Sequence, residues 1–436
     1  MVKKKRIDII TLGCSKNLVD TERLSHRLAA AGYEVVNDSD DVCGDIVVVN
    51  TCGFIGDAKQ ESIDTILELA EAKKEGRLGR IFVMGCLSQR YFEELKTELP
   101  EVDHFYGKFD WNGIIDDLGA EVPPTVKPYE RRVTTPPHYT YLKISEGCNR
   151  FCAFCAIPLI TGRHTSVPME ELEEEVRLLV AKGVKEFNVI AQDLSSYGID
   201  IYGEPCLAEL IDRLAMIEGV EWLRLHYAYP AQFPWDVLPV MAKHGNVCKY
   251  LDIALQHISD KVLSNMRRHI TKAETMELIE RIRREVPGIH LRTTLMVGFP
   301  GEGEAEFEEL KKFVEWARFD RMGAFVYSEE DGTYAAKHFA DVVPQEVKDA
   351  RLAEIMELQE GIALELNEQK VGRTLKVIID REEPDFYVGR TEYDSPEVDP
   401  EVLVRKPSGG LGIGKFVNVT ITEALPFELV GEVKKV

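Results

Sequence analysis

Short apolar runs alternate with longer stretches of helical spacing along the first third of the chain. IDIITLG (7–13), DIVVVNTC (45–52) and RIFVMGC (80–86) read as strands, the last two as continuous apolar runs of the kind a parallel sheet buries on both faces. Between them, LVDTERLSHRLAAAGYEVV places Leu18, Leu24, Leu28 and Ala29 on one helical face. ESIDTILELAEAKKEG does the same with Ile63, Ile66, Leu67 and Ala70, and Gly76 stops it. This βαβαβ order predicts a parallel α/β sheet. Residues 121–137 (EVPPTVKPYERRVTTPP) hold five prolines and read as a linker. A second alternation follows, with strands predicted at TYLKIS, EFNVIAQD, WLRLHYAYP, YLDIALQH, HLRTTLMVGFP and RMGAFVYS. Six βα units are too few to close an eight-fold barrel and predict an open, partial (βα)6 barrel. One long helix is expected over 344–369, starting at Pro344. RTLKVIIDRE, FYVGRTEY, VLVRK, FVNVTITEA and ELVGEVKKV then predict a small five-stranded β-barrel. The expected class is a multidomain α/β protein, divided as 4–122, a linker 123–137, 138–367 and 368–436.

Composition narrows the class. A 44% hydrophobic and 29% charged chain is that of a soluble globular protein, and its longest apolar runs are strand-sized, so no membrane helix is expected. The basic N-terminus has no small-residue cleavage site and leads into a strand, which predicts a cytoplasmic protein. A net charge of −22 disfavours non-specific binding to phosphate backbones and suits a basic protein partner. Nine cysteines in such a chain are not expected to form disulfides. Cys43, Cys206 and Cys248 follow no pattern and are expected to pack as ordinary buried or half-buried thiols.

The other six carry chemistry. SEGCNRFCAFC places Cys148, Cys152 and Cys155 in a C-x3-C-x2-C spacing just past the first barrel strand, on the face where such barrels hold their active sites. Structural zinc wants four ligands, commonly two C-x2-C pairs. No second pair exists, and His164 is the residue that could complete a Cys3His set. The alternative is a four-iron cluster on three thiolates, which leaves one iron open to a small ligand. Cys14, Cys52 and Cys86 each follow a predicted parallel strand of the first sheet. Strand ends of an open α/β sheet are where ligands bind, so these three thiols are expected to meet as a second open-iron cluster. Gly13 and Gly85 beside them permit close backbone approach.

The C-x3-C-x2-C loop on a partial barrel, with Phe154 before its last cysteine, resembles the radical S-adenosylmethionine superfamily. With two such trios, AQDLSSYG (191–198), ALQHISDKVLSNMRR (254–268), TTLMVGFPGE (293–302) and a terminal barrel like a TRAM domain, the whole chain resembles the methylthiotransferases. The resemblance implies two [4Fe-4S] clusters and S-adenosylmethionine. One cluster, on Cys148, Cys152 and Cys155, would cleave S-adenosylmethionine to a 5′-deoxyadenosyl radical. The other, on Cys14, Cys52 and Cys86, would supply the methylthio sulfur. Phe154, Gln192 and Gln256 are the expected S-adenosylmethionine contacts. Asp193 and His257 share that barrel mouth, and for them, as for Gln192 and Gln256, a loop-structural role is equally open. TLGCSKNLVDTE (11–22) and RLHYAYP (224–230) resemble the branch that modifies an aspartate β-carbon of small-subunit ribosomal protein twelve, free or in the ribosome. The branch acting on tRNA adenosine derivatives is the alternative. Residues 370–436 hold 10 Lys and Arg against 12 Asp and Glu, a net of −2. An RNA-binding barrel is usually basic, so this one is expected to dock the basic ribosomal protein, with tRNA binding disfavoured. All six cysteines lie before residue 160, so the barrel is expected to be dispensable for holding the clusters. An electron donor such as flavodoxin is implied; a membrane is not. Gly301, Glu302 and Gly303 form a Gly-rich turn, but no flanking Lys or Ser/Thr completes a phosphate-binding loop there, and the acidic run at 170–175 reads as a solvated helix start.

Overall fold

The computed structural model describes residues 5–434; residues 4, 435 and 436 of the expected outer domains lie outside them. The first sheet holds β1 (Arg6–Thr11), β2 (Glu34–Asn37), β3 (Ile46–Thr51), β4 (Arg80–Gly85) and β5 (His104–Phe105). All are parallel, in the order β2-β1-β3-β4-β5. Every residue of β3 is buried, as a strand covered by helices on both faces requires. β2 and β5 have four and two residues, too short to show a period in the sequence. The order matters for function: β1, β3 and β4 lie side by side, so the three cysteines after them emerge at one edge.

The central sheet runs β6 (Tyr139–Lys143), β9 (Glu186–Ile190), β10 (Trp222–Ala228), β11 (Val247–Gln256), β12 (His290–Val297) and β13 (Arg321–Val326). A small ribbon, β7 (Ser145–Glu146) with β8 (Thr165–Ser166), flanks the cysteine loop. The six barrel strands are parallel neighbours, and β13 does not close onto β6, so the partial barrel is as expected. Leu142, Val189, Leu225, Leu251 and Leu295 point into one continuous apolar core with the surrounding helices. The long helix, Gln345–Glu368, packs against β13.

β14 (Thr374–Glu382), β15 (Phe386–Thr391), β16 (Glu401–Arg405), β17 (Phe416–Ala424) and β18 (Glu428–Val433) close into a barrel around Val377, Ile379, Val402, Val404, Val419 and Ile421. This barrel is not a detached appendage. The segment between β15 and β16 enters the base of the central sheet. There Asp394 takes Arg321 at 2.6 Å, Asp399 takes Tyr250 at 2.7 Å, and Glu397 accepts from Tyr139 and Tyr141. Arg390 reaches Glu186 at 2.8 Å. Asp394, Glu397 and Asp399 are therefore spent inward, and the negative balance counted for this region is not all displayed to a partner.

Candidate functional site

The N-terminal cysteines converge through backbone contact. Cys14 sits at the N-cap of the helix Ser15–Ala30, Cys52 follows β3, and Cys86 opens the helix Cys86–Arg90 after β4. Gly13 has φ +92°, and a methyl group there would lie 2.8 Å from Cys52 Cβ and 3.0 Å from its Sγ. A methyl on Gly53 would strike the backbone of Leu87 at 2.6 Å. Glycine is what lets these three turns touch. Burial opposes ionisation of Cys14, but Lys16, the Asn17 N–H and Lys108 outweigh it and hold the thiol below its usual value. Burial pushes the Cys86 thiol up to about 12, with Cys14 and Cys52 adding to the shift.

On the barrel face, Cys148 and Cys155 are likewise driven up by burial, Cys148 to about 12. The Arg150 N–H donates to Cys148 Sγ at 3.5 Å. Arg268, buried, donates from Nη1 to Cys152 Sγ at 3.2 Å, and Tyr229 Oη lies 3.7 Å from the same sulfur. The guanidiniums of Arg150 and Arg268 lie 4.4 and 4.3 Å from the Tyr229 ring. A cleft of about 750 Å³ opens beside this loop between Arg150, Phe151, Tyr229 and Trp235.

The donor chemistry of both trios fits an iron–sulfur cluster. All six thiols are free. The Cys52, Cys86, Cys148 and Cys155 thiols, which burial keeps protonated, need a cationic load before they ionise, and iron supplies it. A zinc set would need His164 as a fourth ligand beside the three thiols. His164 is instead engaged by Ser166 at 3.1 Å.

Other expected residues separate into two groups. Gln192 and Gln256 each carry a buried Oε1 with no partner, and Gln256 holds φ +73° at the end of β11. Buried orphan acceptors at a barrel mouth are consistent with a ligand arriving there. Phe154 packs edge-on against Phe299 at 6.2 Å. By contrast, Asp193 is structural: it caps Ser195 N at 2.9 Å and pairs with Arg150 at 2.7 Å. His257 accepts from Ser259 N and faces Glu302 at 3.2 Å. Glu302 accepts from Gly298 N and Arg351, both at 2.9 Å. Its own carboxylate occupies the Gly-rich turn, which leaves no place for a phosphate, in line with the missing Lys and Ser/Thr. Cys206 and Cys248 are buried, but Cys43 is exposed, against expectation.

Between the two trios lies a polar network that no sequence period reveals. Lys108 Nζ sits 3.5 Å from Asp20 and 3.5 Å from Glu146. Lys143 bridges the same carboxylates, 2.8 Å from Glu146, which also accepts from Gln192. Burial opposes the charge on Lys108, but Asp20 and Glu146 outweigh it and raise its pKa. Glu146 could have been suspected from its place two residues before Cys148, and Arg268 from its segment. Lys108, alone in YGKFD, gave no signal.

Family models match the chain in three consecutive parts: the uncharacterized protein family UPF0004 over residues 6–107, the radical SAM superfamily over 142–314 and the TRAM domain over 371–433. A ribosomal protein uS12 methylthiotransferase RimO from Bacteroides fragilis is 61% identical over 432 residues, 99% of this chain and 100% of that protein. The RimO proteins of Porphyromonas gingivalis (62% over 98% of this chain and 99% of theirs) and Cytophaga hutchinsonii (50% over 99% of both) agree. Among solved structures, the radical S-adenosylmethionine methyltransferase TsrM from Kitasatospora setae, with cobalamin and a [4Fe-4S] cluster bound, aligns at TM-score 0.57. The identity is 16%, over 94% of this chain and 84% of that one. The cobalamin-dependent S-adenosylmethionine radical enzyme OxsB aligns at 0.53, with 16% identity over 82% and 56%. These two likenesses carry the fold alone. An iron–sulfur cluster and S-adenosylmethionine go with the superfamily. The chain belongs to the RimO family of radical S-adenosylmethionine methylthiotransferases.

Proposed function

We propose that this chain transfers a methylthio group to the β-carbon of an aspartate in ribosomal protein uS12, using two [4Fe-4S] clusters. The observation that carries the two-cluster reading is the pair of cysteine trios, each at the C-terminal edge of its own parallel sheet and joined by one buried polar network. Cys148, Cys152 and Cys155 hold the cluster that cleaves S-adenosylmethionine; Cys14, Cys52 and Cys86 hold the cluster that carries the sulfur. When bound, the clusters supply an electron for that cleavage and a sulfur for transfer. The chain's own residues do the rest. Gln192 and Gln256 offer free acceptors to S-adenosylmethionine, and Phe154 walls its side of the mouth. Arg268 steadies Cys152. Phe151, inside the cysteine loop, is 51% exposed, which leaves the loop accessible to an electron donor such as flavodoxin. No helix of the described residues is long and apolar enough to cross a membrane, in keeping with work in the cytoplasm on a ribosomal protein. tRNA is not the expected partner.

Mass spectrometry of a strain lacking the gene tests this. Loss of one methylthio group from uS12, with methylthioadenosine of tRNA intact, is expected. The reverse pattern would move the chain to the tRNA-modifying branch. Replacing Cys148, Cys152 and Cys155 by Ala is expected to abolish S-adenosylmethionine cleavage and keep about half the iron.

A further inference from the structure

Lys108 is 2% exposed and its ammonium touches both cysteine neighbourhoods. Its Nζ lies 3.8 Å from Cys86 Sγ, and 3.5 Å from Glu146, two residues before Cys148. Asp20 holds it from a third side at 3.5 Å. Its backbone is pinned as well: Lys108 N donates to Gln89 Oε1 at 3.0 Å, and Gln89 belongs to the helix that Cys86 opens. Lys108 and Lys143 face Asp20 and Glu146, so the network is neutral before any thiolate is counted. A four-iron cluster on three thiolates is anionic, and one more electron makes it more so. Hydrogen bonds to cluster sulfurs and nearby charge set cluster potentials, and residues behind the ligands commonly tune a metal site.

We propose that Lys108 is a positioning residue for the N-terminal site: its ammonium, fixed between Asp20 and Glu146, donates to the Cys86 sulfur and raises the reduction potential of the cluster bound by Cys14, Cys52 and Cys86. The inference rests on the two-cluster reading above. Because Glu146 sits at the barrel mouth and holds Gln192, a charge arriving there is felt at the N-terminal site through the same lysine.

The test is a redox titration followed by electron paramagnetic resonance, in full-length protein carrying Cys148→Ala, Cys152→Ala and Cys155→Ala so that only the N-terminal cluster reports. Lys108→Met is expected to disfavour the reduced form about tenfold, a shift of about 59 mV to more negative potential for one electron. Lys108→Arg is expected to restore most of it. Asp20→Asn, which removes the opposite charge, is expected to shift the potential the other way. A structural role would not give shifts of opposite sign. If Lys108→Met holds no cluster, the sign of the Asp20→Asn shift decides. A cluster indifferent to both charges, shifts of one sign, or loss of the cluster in both variants overturns the proposal. If the parent protein itself holds no cluster at Cys14, Cys52 and Cys86, the two-cluster reading fails first, and this inference with it.

Discussion

At the scale of single residues, one missing side chain, at Gly13, and one side chain, Arg268, bear on how the thiols are held. Gly13→Ala would combine a left-handed backbone with a methyl group 2.8 Å from Cys52 Cβ. Cys52 must move, so about half the iron is expected to be lost while S-adenosylmethionine cleavage persists; full iron in that variant would show that Cys52 is not positioned by this contact. Arg268→Gln withdraws a charge from Cys152 and a donor from the Ala254 carbonyl. Leaving a buried acceptor short costs about 1–3 kcal/mol, so a lower melting temperature is expected, with faster chelation of iron from the barrel-face site and none from the N-terminal one. Equal iron loss at both sites would contradict a local role. Lysine is not a substitute there, because a point charge cannot serve Cys152, Ala254 and the Tyr229 face together. The six cysteines stood out in the sequence because thiols are rare, three standing at predicted strand ends and three spaced C-x3-C-x2-C in one loop. Lys108, Asp20 and Glu22 did not. Asp20 and Glu22 lie off the apolar stripe of the helix Ser15–Ala30 and Lys108 lies in a loop without a period; that helix buries Asn17, Thr21 and Ser25 on its own sheet and turns Asp20 and Glu22 to Lys143 and Arg131 beyond it. An amphipathic pattern records the boundary with apolar core, not a second, polar interface.

Elements show the same division. Every long strand and the helix Gln345–Glu368 announced themselves by period, whereas the segment between the predicted strands FYVGRTEY and VLVRK carries no period and is the plug at the base of the central sheet. Truncation after Glu368 would strip Arg321 of Asp394, Arg292 of Asp399 and Glu186 of Arg390. Breaking a buried pair costs about 3–5 kcal/mol, against a whole-domain stability of about 5–15 kcal/mol. The truncated core is therefore expected to unfold or shed iron on purification, contrary to the expectation that the barrel is dispensable for cluster binding. A truncated protein with a normal melting temperature would restore that expectation. The seam also predicts a pH dependence. His290 stacks on Tyr393 of the barrel at 3.9 Å, and burial holds its pKa down to about 4, against the pull of Asp320. The unfolded chain binds that proton near pH 6.5 and the folded one only near 4. Stability is therefore full above about pH 6.5 and lost as pH falls toward 4, by about 3 kcal/mol from this residue. His290→Gln is expected to flatten that limb of the stability profile measured by urea melts; an unchanged limb would assign the acid sensitivity elsewhere.

For the whole molecule, the decisive quantity is how firmly the two sheets are held against each other, because each carries one cysteine trio. The segment after each N-terminal cysteine is tied to the core. The helix from Cys14 gives Glu22 and Arg23, which meet Arg131 and Glu175, with Arg131 between both carboxylates. The helix Gly56–Lys74, after Cys52, gives Lys59, 2.9 Å from Glu330. The helix opened by Cys86 ends in Arg90, 2.7 Å from Glu330 and 2.7 Å from the Asp331 carbonyl. Glu330 is 5% exposed and so binds two of the three cysteine-bearing segments to the loop after β13. Glu330→Gln keeps the shape, removes the charge, and leaves Lys59 and Arg90 facing an amide. It touches no thiol. Both trios are expected to load with iron, and S-adenosylmethionine is expected to be cleaved at a near-normal rate, since on the proposed assignment that step needs the barrel face alone. On the same assignment, transfer to uS12 needs both trios at a fixed separation, and an ångström of slack in a reacting pair can cost about a hundredfold. The expected signature is uncoupling: 5′-deoxyadenosine persists while methylthiolated uS12 falls at least about tenfold, so their ratio rises. Measuring both products in one assay checks it. A parallel fall of the two would mean that Glu330 supports folding and not the registration of one site on the other.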